Sequence, residues 1–74
     1  MKLLTKKSQK EVLGRLIANH IIAQTAIDKS NLETKEYRDF TTHLIENTLE
    51  IAECIGGINA MYGVHREIER RMKK

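Results

Sequence analysis

Asp39, His43, Glu46 and Glu50 stand three or four residues apart, the spacing that places side chains on one face of a helix. A histidine among carboxylates at this spacing is a ligand set for a divalent cation. Di-iron bundles, however, build their centre from paired Glu-x-x-His motifs, whereas this chain has one His-x-x-Glu in the reverse order. The four residues read as a solvated acidic face. His20, His65 and Cys54 could be drawn into a zinc site, but they have no recurrent short ligand spacing and read as packed side chains. Suitably partnered histidines would make assembly sensitive to mild acid. Ser8 and Ser30 are the only serines, and each heads a Ser-x-x-Glu helix start. With no Gly-x-Ser-x-Gly and no Walker-type loop, and with Cys54 at the edge of an apolar stripe, the chain is not expected to be an enzyme. No metal and no cofactor are assigned.

The remaining chemistry is cationic. Residues 1–15 carry five basic and one acidic side chain, residues 33–53 two basic and six acidic, and residues 64–74 five basic and two acidic. Lys6, Lys7, Lys10, Arg15, Arg66, Arg70 and Arg71 are therefore the candidates to bind an anionic ligand, either nucleic acid or a nucleotide. The same C-terminal cations also complement the macrodipole of a helix that ends there.

The elements that must position these residues are helical. Proline is absent, aromatics are few, and Leu, Ile, Ala, Lys and Glu dominate. Ser8–Glu11 and Ser30–Glu33 predict helices over about 9–28 and 31–72, preceded by a basic segment over 1–8, in one small domain. So short a connection makes the two helices antiparallel. Pairing Ile27 with Glu36 would bring Gln9 near Cys54 and His20 opposite His43.

Helix 1 carries a stripe of Val12, Leu13, Leu16, His20, Ala23 and Ile27. Helix 2 carries a longer one, from Tyr37 and Phe40 through Ile51 and Ile58 to Ile68 and Met72, which holds its phase through Gly56-Gly57. This favours one long second helix, kinked at the pair if at all; the alternative is a three-helix bundle with a turn there. Two glycines inside a helix cost roughly 1 kcal/mol each. Ala52, Gly56, Ala60 and Gly63 form a small-residue row on the opposite face that would offset this by close packing. They are read as a second helix–helix contact.

In a simple hairpin the last twenty residues have no partner in their own chain. Ala52, Gly56, Ala60, Gly63, Ile58, Tyr62 and Ile68 are then expected to form the interface of a homo-oligomer. A single cysteine and no apolar run long enough to span a bilayer predict a cytoplasmic protein that does not engage a membrane. In size, and in lacking a catalytic motif, the chain resembles the small accessory proteins of phages and plasmids. The expected function is an oligomeric helical protein binding an anionic ligand through its basic helix ends. The alternative is an inhibitor or adaptor that docks a helix face on a host protein.

Overall fold

The computed structural model describes residues 5–73, so the first four residues of the basic N-terminal segment and Lys74 lie outside the described residues. Two helices, α1 (Lys6–Lys29) and α2 (Thr34–Met72), account for nearly all of the rest and form an antiparallel hairpin. No strand occurs among the described residues.

The helix starts differ from those predicted. Thr5, not Ser8, caps α1: its Oγ1 accepts from the Ser8 backbone N–H at 3.1 Å. The capping pattern thus sits three residues earlier, with Ser8 in the place expected for the reciprocal glutamate. Ser30 closes α1 instead of opening α2, its hydroxyl donating to the Ala26 carbonyl at 2.7 Å. Asn31 follows at φ 52°, a left-handed position that asparagine tolerates and that ends the helix. Glu33 stands at the α2 N-cap without a side-chain capping bond.

Across the connection the helices are latched by polar groups. The Tyr37 hydroxyl donates to Asp28 Oδ1 at 2.6 Å, and Gln24 Nε2 donates to the same oxygen at 2.9 Å. Because its proton is held by the Asp28 carboxylate, the Tyr37 hydroxyl titrates above its ordinary range. At the other end, Gln9 Oε1 and Leu13 Cδ1 lie 3.7 and 3.8 Å from where a Cβ on Gly56 would stand. The antiparallel pairing expected from the sequence is present but shifted, by two residues at Gln9 and by five at His20, which meets Thr48 instead of His43.

The largest departure is at the glycine pair. Gly57 has φ 82° and ψ −173°, a conformation essentially confined to glycine, and α2 changes direction there. A straight helix of its 39 residues would measure about 58 Å, yet the longest dimension of the molecule is 42 Å. The arm after Gly57 folds back along α1: Ala60, Gly63 and Val64 share a cleft with Lys10, Leu13, Gly14 and Ile17. The hairpin is retained, its long second helix is bent, and the bent arm packs as a third helix would.

This corrects three expectations. The last twenty residues do have a partner in their own chain, because Val64 and Ile68 are buried in one core with Ile17 and Ala52. Ala52 and Ile68 therefore belong to that core and not to a free interface. The small-residue row faces α1 of the same chain, since Ala52 is buried in the core with Ile17, Gly56 abuts Leu13, and Ala60 and Gly63 share a cleft with Leu13 and Gly14. Small side chains permit the close approach that a buried interhelical contact requires, and so leave the bulkier stripe outside.

The glycines are not equivalent, and two substitutions separate them. A Cβ on Gly56 would stand 2.7 Å from the Ala60 Cβ, whereas one on Gly14 meets nothing within 4 Å. Gly56→Ala is expected to lower stability by about 1–3 kcal/mol through overpacking. Gly14→Ala is expected to raise it by about 0.5–1 kcal/mol through helix propensity. Urea unfolding followed by circular dichroism checks both signs.

Candidate functional site

Three surfaces have the composition to engage another molecule: an exposed apolar arc on α2, the two cationic segments, and the cleft between α1 and the returning arm.

The apolar arc follows from the packing. With the small-residue row turned inward, four large side chains of the long stripe face solvent, though its Ile68 is buried: Phe40 is 52% exposed, Ile51 47%, Ile58 54% and Tyr62 56%. Ile58 and Tyr62 belong to the expected interface, whereas Phe40 and Ile51 belong to the stripe but lie outside that interface. Their exposure could not be read from the sequence because periodicity marks an apolar face without saying which of two faces a partner helix takes. Cys54 is exposed on the same side of α2, three residues from Ile51.

The cationic residues are not brought into one site. Lys6, Lys7 and Lys10 lie on the first turns of α1, where the helix presents its positive end, with Arg15 further along. None of these four makes an ion pair among the described residues, and all are exposed. Arg66, Arg70 and Arg71 ride on the returning arm, which runs from the Lys10 end of α1 past Ile17 and so carries them away from the lysines. Arg70 and Arg71 both donate to Glu67, Arg71 Nε at 2.9 Å. Their hydrogen bonds hold the Glu67 carboxyl down at about 2. The Glu67-x-x-Arg70-Arg71 spacing was legible as an i, i+3 and i, i+4 pairing. Arg66 remains outside this clamp and borders a shallow groove with Tyr62, Gly63, His65 and Glu69, in which His65 Nδ1 lies 3.0 Å from Glu69.

The cleft has a volume of about 460 Å³ and apolar walls, with Gly14 on one side, Ala60 and Gly63 on the other and Lys10 among its lining residues. Like Gly14, Gly63 has nothing within 4 Å of its Cβ direction. Of the two glycines in the small-residue row, then, only Gly56 is tightly packed.

The histidines separate in the same way. His43 is exposed, and His20 meets Thr48, five residues further along α2, instead of His43. His20 is buried and its Nδ1 is 2.7 Å from the Oγ1 of Thr48, also buried, so one hydrogen bond ties the middle of α1 to the middle of α2. Among the described residues no three His, Cys, Asp or Glu side chains gather as metal ligands, so Asp39, His43, Glu46 and Glu50 do not converge on a point. No helix among them is long and apolar enough to cross a membrane. Set against known proteins, the chain matches no family model, no curated protein and no solved structure.

Burial holds the His20 imidazole below its ordinary 6.5. Between that lowered value and 6.5 the unfolded chain binds more protons than the folded one, so stability is greatest above pH 6.5 and falls as the pH drops through the window. Urea midpoints measured from pH 7.5 to 5 should decline accordingly. The slope should flatten in His20→Gln, which cannot take up the proton.

Proposed function

We propose that this chain is a non-enzymatic helical binding protein that acts by associating with itself through the exposed face of α2. The observation that carries this reading is the contrast between inside and outside. Among the described residues the buried apolar core consists of Ile17, Ala52, Val64 and Ile68, while Phe40, Ile51, Ile58 and Tyr62, larger in sum, are each 47–56% exposed. Burying such side chains contributes roughly 1.5–3 kcal/mol each, so a chain this small gains much by covering them. A second copy supplies a self-complementary apolar surface at no cost in new chemistry.

A second reading, binding of an anionic ligand, is supported by Lys6, Lys7, Lys10 and Arg15. They lie on α1 without ion-pair partners among the described residues, in a chain of net charge +3. The phosphates of a nucleic acid or nucleotide match them, and the two readings are compatible, since association would multiply the cationic ends.

Two experiments separate them. Replacing both Ile58 and Tyr62 by Ser should weaken self-association at least tenfold in sedimentation equilibrium. Because both are exposed, the unfolding free energy should change by no more than about 0.5 kcal/mol per site. A monomer at every concentration, with a tight complex to another protein, would replace the first reading by the adaptor one. For the second reading, changing Lys6, Lys7 and Lys10 to Ala should weaken binding of a labelled single-stranded oligonucleotide. The wild-type affinity should fall steeply between 50 and 200 mM salt as counterions are released.

A further inference from the structure

The long stripe of α2 keeps one helical phase across a residue that is not helical. At 100° per residue, Tyr37, Phe40, Ile51, Ile58, Tyr62 and Met72, the large exposed apolar side chains of α2, fall within an arc of about 100°. Phe40, Ile51, Ile58 and Tyr62 occupy less than half of it. A helix that always breaks at Gly57 imposes no such relation between its arms, because each arm is free to choose its own phase. A continuous helix does impose it, and would align these four side chains along about 33 Å.

The buried faces of the two arms show what a continuous helix would do. Before Gly57 the core side of α2 carries Ile45, Leu49 and Ala52; after it the core side carries Val64 and Ile68. On a straight helix these two sets lie about 110° apart, and the second runs on past the start of α1, which stands level with Gly56 near Gln9, so a single α1 could cover only the first. The second needs another α1.

We propose that Gly57 is a hinge between two forms: the folded-back chain, and an extended form in which α2 is continuous and the arm 58–72 packs on α1 of a second copy. This deepens the self-association reading and rests on it. The occupant is fixed by the contacts themselves. The surface of α1 that receives the arm, around Leu13, Gly14 and Ile17, is the same in every copy, so the exchanged arm meets the partners it already has. Those contacts contribute nearly equally to both forms. The balance is then set by the hinge conformation, by protein concentration, and by the apolar arc that straightening aligns.

The test uses Gly57→Ala. Alanine is strained at φ 82° but favoured in a continuous helix, so the substitution penalises the folded-back form specifically. Light scattering on a size-exclusion column, across concentrations and in reducing buffer to keep Cys54 free, should show the monomer–dimer equilibrium moved at least tenfold towards dimer. A second variant, with two glycines inserted after Gly57, relaxes the hinge and should stay folded and move the equilibrium towards monomer. Isotope-filtered NMR on a dimer of labelled and unlabelled chains should place the Ile17–Val64 contact between chains. A Gly57→Ala protein that stays monomeric, folded or not, overturns the hinge. If the wild type also forms no dimer, the association reading falls with it. A dimer whose Ile17–Val64 contact stays within one chain, or a glycine insertion that dimerises as readily as the wild type, overturns the exchange alone and leaves association standing.

Discussion

Everything in this molecule depends on one apolar line along α1 being covered twice. Leu13, Leu16, Ile17 and Ile21 receive Ile45, Leu49 and Ala52 from the outgoing arm of α2 and Val64 and Ile68 from the returning arm. Neither arm alone encloses the line, since two helices side by side leave a groove on their far side that only a third can close. The reversal at Gly57 supplies that third helix without a loop. Its cost is a backbone geometry that only glycine adopts readily, and the burial of Val64 and Ile68 is what offsets it.

Within this core His20 and Thr48 are the polar exception. A buried hydrogen bond contributes little net stability, but leaving either group unpaired costs the full desolvation of that group. Sliding α2 by a single turn against α1 would set the imidazole against carbon and strand the hydroxyl. The pair thereby fixes the register that apolar packing alone leaves loosely specified. The latch of Tyr37, Gln24 and Asp28 does the same at the connection, so two polar contacts some two turns apart on α1 define one alignment.

The all-helical hairpin was legible in the sequence, because two periodic segments without proline and joined by a short polar stretch allow little else. The glycine pair was legible as an exception. Its consequence was not, since the phase of the stripe argues for continuity while φ at Gly57 is decided by tertiary contacts that periodicity does not encode. The choice of inward face was obscured in the same way: both the large stripe and the small row have helical spacing, and close approach to α1 selects the small one. Caps failed for a more local reason. Thr5 competes with Ser8 and Ser30 with Asn31 within a few residues, and such small differences are settled by where the preceding chain runs. For the candidate site, exposure of the basic start of α1 follows from its density of charge, whereas the neutralisation of Arg70 and Arg71 follows only once Glu67 is seen between them.

The Tyr37 latch also bears on how the chain reaches this state. It joins residues 9 apart in sequence, and the outgoing arm zips from there with contacts of steadily increasing separation, reaching 28 residues at His20 and Thr48. The returning arm meets Ile17 only across nearly fifty residues, a longer closure that is entropically dearer and waits until the first two helices have formed their groove. Assembly thus runs from the connection outward, with residues 58–72 docking last. During synthesis those residues also leave the ribosome after α1 and the outgoing arm, so the uncovered side of α1 is presented to its surroundings in every newly made copy before its own arm arrives.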